Sequence, residues 1–436
     1  MTATVLPTAP TAHRPAHRDP NVLRWLAAYA SSMVGDSVYY LALSWAAVQA
    51  GSPAQAGAVM SASALPRAVL MLFGGVVADR LGPRRVVIGS DAVRCAAVLA
   101  VAALLLLTSP GLWPLALLAL VFGTVDAVFM PAVGALPARV TTHDQLARVQ
   151  GMRGLAIRLS YVVGAPLGGL GVAVGGAAGA FGLAGLLIAV SVPLLVSVRV
   201  RDLPAEDSED TRGTAKDTRA TAQEARDAEG RSAPTPWQDL RAGLTYTRRH
   251  RVLAPLMLAI ALGDLGFVGP LNVGLTLLAD RRGWGAAGLG WVLAGFGAGA
   301  GCASLLLTVR GRLPRAGLVA GCTVLVGAVA IGVLAFVPVL AAAAGAALLV
   351  GLFAGLSGAL CEALLQTHAD PAYLGRVTAV SGLVSLGLAP LTMPVSAAAA
   401  GAFGLGPVYV VSAAVCGLGG VVALVAPGLR RAELPR

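Results

Sequence analysis

Charge is what this sequence has least of. Only 12% of its 436 residues are Asp, Glu, Lys or Arg, where a soluble domain carries about 25%. So little polar surface cannot clothe a water-facing molecule of this length, which excludes a string of ordinary soluble domains. Lysine is nearly absent, with Lys216 alone among 32 basic residues. Aromatic side chains make up 5%. The five cysteines (Cys95, Cys302, Cys322, Cys361 and Cys416) form no CxxC pair, so neither a disulfide scaffold nor a zinc site is indicated. They read as small buried hydrophobes. No Walker loop is present to support ATP-driven work, and no nucleophile–base spacing suggests an enzyme. No cofactor and no metal are expected.

Apolar residues, at 57%, and 55 glycines fill the space that charge leaves. The apolar residues fall in runs near 20 long, and about 20 helical residues cross a hydrocarbon core of about 30 Å. Twelve spans are expected, at 22–47, 54–78, 86–107, 112–136, 150–173, 178–198, 252–278, 285–308, 317–337, 340–364, 376–400 and 407–427. The fold class is therefore an all-α membrane protein, with the bilayer as its main partner. Small residues let helices approach closely in lipid, which suits a tightly packed bundle. The stripe Gly295-Phe-Gly297-Ala-Gly299-Ala-Gly301 resembles a dinucleotide loop only superficially. It lacks the strand and βαβ unit that such a loop requires, and reads as helix packing.

Residues 1–20 read as a disordered tail without the apolar core of a cleavable signal peptide. Residues 21–198 form a first six-span half. Residues 199–235 alternate acids and Arg with no apolar face and read as a flexible linker. Residues 236–428 hold a surface helix, marked by Trp237, Leu240, Leu244 and Tyr246 beside Arg248, Arg249 and Arg251, then a second six-span half. Residues 429–436 are a short tail.

The net charge of +11 would fit a nucleic-acid partner, but its distribution fits membrane topology better. Arg80, Arg84, Arg85, Arg139, Arg148, Arg248, Arg310 and Arg376 fall on one side, against Arg281 and Arg282 on the other. The positive-inside rule then places both termini in the cytoplasm. Trp25 and Trp45, about 30 Å apart on a helix, are expected at the two interfaces of the first span.

The two halves repeat at an offset of 228 residues. Gly35-Asp36 falls on Gly263-Asp264, Gly123 on Gly351, Arg148 on Arg376 and Pro166 on Pro394. The shared register at both ends of the half marks an internal repeat, as in transporters built from two parallel halves.

Three stretches carry a family resemblance. Gly75-Val-Val-Ala-Asp79-Arg80-Leu-Gly82-Pro-Arg84-Arg85 resembles the signature G-x-x-x-D-R-x-G-R-R of the major facilitator superfamily, departing at Pro83. Phe129-Met130-Pro131-Ala132 through Pro137, followed by Gln145-Leu146-Ala147-Arg148, is similar to a bacterial exporter branch that includes siderophore and macrolide exporters. Gly164, Pro166, Gly168 and Gly169 resemble the antiporters' fifth-helix glycine motif. The resemblance implies alternating access with Gly75, Asp79, Arg80, Gly82, Arg84 and Arg85 as a latch. Asp79 would face the start of the eleventh span near Arg376. The alternative is that these charges only set topology. The fourth-span Arg of many proton-coupled drug exporters is missing, with Asp126 in that span instead.

Ionisable groups at bilayer depth cost about 2.5–3.5 kcal/mol each on insertion scales and are functional candidates. Asp36 falls near the midplane, with Asp264 as its repeat mate. Arg67, Asp126 and Arg158 are the other candidates for a substrate and proton pathway. Asp91 and Arg94 are expected to satisfy one another at the inner interface. The resemblance places Asp36, Asp126 and Asp264 on helices lining a central cavity. With Arg67 neutralising Asp36 and Arg158 neutralising Asp126, Asp264 is the least compensated acid and the first candidate proton carrier. A structural, hydrogen-bonding role for Asp36 and Asp264 is the alternative.

These readings converge on a monomeric secondary active exporter of an amphiphilic small molecule, drug or secreted metabolite, coupled to protons in a bacterial cytoplasmic membrane. An importer or facilitator of a small nutrient with the same fold is the alternative.

Overall fold

The computed structural model describes residues 16–108, 111–142, 145–200, 236–310, 315–370 and 373–433. Residues 201–235 of the expected linker and most of the expected N-terminal tail fall outside them. Helices α1 (Pro20–Ala50), α2 (Pro53–Leu81), α3 (Pro83–Leu107) and α4 (Trp113–Val140) lead into α5 (Leu146–Ser197). α5 holds two spans, because Gly175 and Gly176 leave helical geometry between them, Gly176 at φ +62°. Only glycine enters that region at little cost, so the chain folds back here without a loop. The surface helix α6 (Pro236–Arg249) precedes α7 (Leu253–Gly269), which continues through a π turn at Pro270–Gly274 into α8 (Leu275–Arg281). Then come α9 (Gly285–Arg310), α10 (Ala316–Leu334), α11 (Leu340–His368), α12 (Leu374–Phe403) and α13 (Leu405–Val425).

Among the described residues, 9 helical stretches are long and apolar enough to cross a membrane. One of these is the doubled α5, and α1 and α2, of 31 and 29 residues, complete twelve spans in two six-helix halves. The polar residues that lower the hydropathy of α1 and α2, among them Asp36 and Arg67, belong to the interior described below.

Helix ends follow local chemistry. Asp19 caps α1 by accepting from the Asn21 amide at 2.8 Å. Ser52 and Gln55 form a reciprocal capping box at the start of α2, which satisfies two otherwise orphaned amides. Gly82, at φ +83°, ends α2 and opens α3. Pro83 then occupies the first turn of α3, where its missing N–H costs nothing. The departure from the signature is thus a helix start.

The interior is packed through glycines. A Cβ on Gly164 would stand 2.5 Å from the Ser37 Cβ of α1, and one on Gly169 2.6 Å from the Ala286 carbonyl oxygen of α9. The fifth-span motif therefore seats one helix against both its own half and the other. In the stripe on α9, Gly295 and Gly299 face backbone oxygens of Ala344 and Leu348 on α11, which is close helix packing.

Two sequence expectations are corrected. Trp25 is 1% exposed and stacks on Tyr29 with ring centroids 5.9 Å apart. It is a core residue, because α1 lies inside the bundle and turns its aromatic rings toward neighbouring helices. Cys302 and Cys322 face outward, so burial does not hold for all five thiols. Helix α6 turns one face to the start of α12: Tyr246 stacks on Tyr373 at 4.5 Å, and Gly243 abuts Arg376.

Candidate functional site

A cavity of about 300 Å³ lies between the two halves. Its walls come from α1, α2, α5, α7, the π turn, α8, α9 and α12, including Tyr40, Ser63, Arg67, Tyr161, Phe267 and Asn272. Among the described residues that line it, Arg67 is the only ionised one. Asp36, Asp126 and Asp264 do not line it, and the fourth and tenth spans contribute no wall residue. The reason is bulk: Tyr40 and Arg67 stand between the cavity and Asp126. Tyr40 donates to the Asp126 Oδ2 at 3.1 Å, and the Arg67 guanidinium is 3.7 Å from the same oxygen.

Behind this wall is a buried charge cluster centred on Arg94 of α3, a residue with no exposed surface. Its Nη1 donates to Asp36 at 2.8 Å and to Asp126 at 3.2 Å. Its Nη2 donates to Asp91 and to the Ser32 hydroxyl. The guanidinium also lies over the Phe129 ring, 3.9 Å from its centroid. Three carboxyls from α1, α3 and α4 thus share one planar, five-donor cation, which arginine can serve and lysine cannot. Asp91 and Arg94 do meet, as their i,i+3 spacing indicates, and both are fully buried.

The pairing of the remaining charges differs from the sequence reading. Arg67 meets Asp126, not Asp36. Arg158 makes no ion pair with Asp126, whose cations are Arg67 and Arg94. Sequence spacing could not reveal this, since it depends on how α2, α3 and α5 are rotated about their axes. With Arg67 and Arg94 against Asp36, Asp91 and Asp126, the cluster has one more acid than cation. The Asp36 Oδ1 is buried without a hydrogen-bond partner.

Asp264 is on α7, in a separate chamber of about 180 Å³ inside the second half. Among the described residues no cation comes within 4.0 Å of its carboxylate, and its Oδ2 is buried without a hydrogen-bond partner. The Ser385 hydroxyl of α12 is the hydrogen-bonding side chain beside it. The repeat mates Asp36 and Asp264 therefore occupy opposite electrostatic settings.

At the signature between α2 and α3, Arg84 donates to the Val196 carbonyl at 2.7 Å, tying the start of α3 to the end of α5. A cation there also complements the negative end of that helix. The side chains of Gly75 and Asp79 lie outside those described. Arg376 stacks beside Tyr373 at 5.4 Å.

The halves touch at the end of the bundle that carries the α1–α2 turn. Ser44 bonds Thr276 at 2.6 Å, Gln49 donates to Asp280 at 2.6 Å, and Ser61 donates to the Pro390 carbonyl at 2.5 Å. Gly57 packs against Pro394 and Ala397, and Gly290 against Ala165. These contacts close that end over the cavity.

Comparison with known proteins agrees with this architecture. The chain is 27% identical over 415 residues to the multidrug efflux pump Tap of Mycolicibacterium fortuitum, covering 92% of this chain and 94% of that one. It is 25% identical over 348 residues to the enterobactin exporter EntS of Shigella boydii, covering 77% of each. Among solved structures, a POT family transporter in complex with 5-aminolevulinic acid superposes with a TM-score of 0.68 at 12% identity, covering 94% of this chain and 96% of that one. A point mutant of the nucleoside transporter NupG gives a TM-score of 0.67 at 10% identity, covering 93% and 100%. The family model of the Major Facilitator Superfamily matches residues 25–389, and the chain belongs to that superfamily of membrane transporters.

Proposed function

We propose that this protein is a proton-coupled exporter of amphiphilic small molecules, working by alternating access in a bacterial cytoplasmic membrane. The observation that carries the reading is the cavity between the halves, apolar but for Arg67 and a few hydroxyl and amide groups, and closed at one end by contacts between the halves. The arginine-rich loops support a cytoplasmic position for the other end and for both termini. The cavity then faces the compartment from which an exporter loads. Two relatives are named as exporters or efflux pumps, which favours outward transport over import. The protein works as a monomer, since each chain contains both halves of the cavity.

Asp264 is the first candidate to carry the proton, because among the described residues no cation pairs with it and its Oδ2 is buried without a hydrogen-bond partner; Asp36 is the second. Arg158 has no assigned role beyond positive charge near the loading end. Asp79, Arg80, Gly82, Arg84 and Arg85 act as the latch between conformations, with Gly75 admitting close approach.

The test is accumulation of a substrate panel in efflux-deficient cells, with and without a protonophore. Wild type is expected to lower the accumulation of at least one compound, and Asp264→Asn or the protonophore to abolish this at normal membrane abundance. Normal export by Asp264→Asn moves the proton to Asp36. Raised accumulation in wild type would replace the exporter reading with an importer.

A further inference from the structure

The chamber around Asp264 is more than the setting of one carboxyl. It is lined by α7, α10, α11, α13 and Leu429, and among these helices α7 alone has described residues that also line the central cavity. Its walls are apolar apart from Asp264, Thr323, Ser357 and the thiols Cys361 and Cys416, and among the described residues no cation lines it. A carboxylate among apolar walls without a counter-charge lacks the pairing that buried ions require. Besides a proton or the Ser385 hydroxyl, what would complete the site is a cation that itself tolerates apolar surroundings.

Size and shape narrow the class further. At about 180 Å³ the chamber has room for a single ring, since an engineered cavity of about 150 Å³ takes up benzene. Phe267 lines both this chamber and the central cavity, with its ring 5.9 Å from that of Phe296. An aromatic face attracts an organic cation within about 6 Å of its centroid. The central cavity presents the opposite electrostatics, with Arg67 as its one ionised lining group among the described residues.

We propose that this chamber is a second ligand site, distinct from the central cavity, which holds a small lipophilic monocation of one-ring size between Asp264 and Phe267. The proposal does not depend on the direction or coupling of transport, because it concerns binding without flux.

The experiment uses the purified full-length protein in nanodiscs and labelled phenyltrimethylammonium, whose charge is independent of pH. Wild type is expected to bind it saturably at one site, with unlabelled tert-butylbenzene, its neutral isostere, competing at least tenfold more weakly. Asp264→Asn should weaken binding at least tenfold. Ala354→Leu, which fills the chamber from α11, should do the same. In a Cys95→Ser, Cys302→Ser, Cys322→Ser background, bound cation should slow the reaction of Cys361 and Cys416 with a small methanethiosulfonate several-fold. That protection decides the matter even where Asp264→Asn fails to fold. Absence of saturable binding, equal competition by the neutral isostere, or binding without thiol protection would each overturn the proposal; the last would place the cation in the central cavity. None of these outcomes bears on the accumulation assay, so failure here and failure of the exporter reading are separable.

Discussion

Gly123 on α4 and Gly351 on α11, repeat mates 228 residues apart, occupy the same seat in the two halves. A Cβ on Gly123 would lie 1.9 Å from the Ser63 carbonyl oxygen of α2, and one on Gly351 2.0 Å from the Phe296 carbonyl oxygen of α9. Both neighbours are backbone, which cannot swing away as a side chain can. Substituting either glycine by Val should therefore force two helices apart, at a cost of about 1–3 kcal/mol or more. The two losses should be alike because the halves are. Gly134→Ala and Gly358→Ala, at sites with nothing within 4 Å, are the matched controls. Thermal unfolding in detergent checks this, and wild-type melting by both Val variants would refute it.

Arg94 makes a sharper case, since it compensates three acids at once. Arg94→Ala strands buried carboxylates, and removing one partner of a buried ion pair costs about 3–5 kcal/mol. Arg94→Lys should recover little, because an ammonium cannot reach three carboxyls in one plane. Yield of folded protein and melting temperature are the readouts. Melting of Arg94→Lys within a degree of wild type would show that point charge, not the guanidinium fork, holds the cluster.

The same cluster marks where the sequence stops being legible. Hydropathy and glycine spacing located all twelve spans, because length and apolarity are properties of each segment alone. The fold-back at Gly175 and Gly176 was legible as a gap of four residues between the fifth and sixth spans. Ion pairing across helices is a different kind of fact. It depends on rotation about each helix axis, which spans of near-uniform hydrophobicity leave undetermined. Arg94 thus read as the i,i+3 partner of Asp91, although its place well inside the third span, too deep to snorkel, was a signal of a larger role. Tyr40 and Phe267 gave no signal at all: an aromatic residue in an apolar run becomes a cavity wall only through the packing around it.

Alternating access requires the closed end of the bundle to open. Gln49 of α1 and Asp280 of α8 meet there at 2.6 Å, one from each half. In a background lacking the five native cysteines, Gln49→Cys with Asp280→Cys should be joined by a short reducible thiol cross-linker. Transport should fall to background when the link is made and return on reduction. Each single variant, treated alike, should keep transporting. Undiminished transport by the cross-linked protein would mean that this end does not separate during the cycle.

A last prediction concerns pH at the junction of α6 and α7, outside the membrane spans. The His250 Nδ1 accepts from the amides of Val252 and Leu253 at 3.2 Å each, satisfying donors that a helix start leaves orphaned. Only the neutral ring with its proton on Nε2 can accept there. Burial, and next the nearby His368, push the His250 value below that of an ordinary histidine. A histidine whose folded value is depressed contributes stability that is fully present above its unfolded value, near 6.5, and lost as pH falls through the folded value. The cap should therefore hold at pH 7.5 and weaken through the acid side of pH 6. Amide exchange at Val252 and Leu253, corrected for the intrinsic pH dependence of exchange, should speed up at pH 5 in wild type. His250→Ala should exchange fast at both pH values, reflecting loss of a cap of about 0.5–2 kcal/mol. Protection in wild type that is unchanged between pH 7.5 and pH 5 would show that the imidazole is not what holds the first turn of α7.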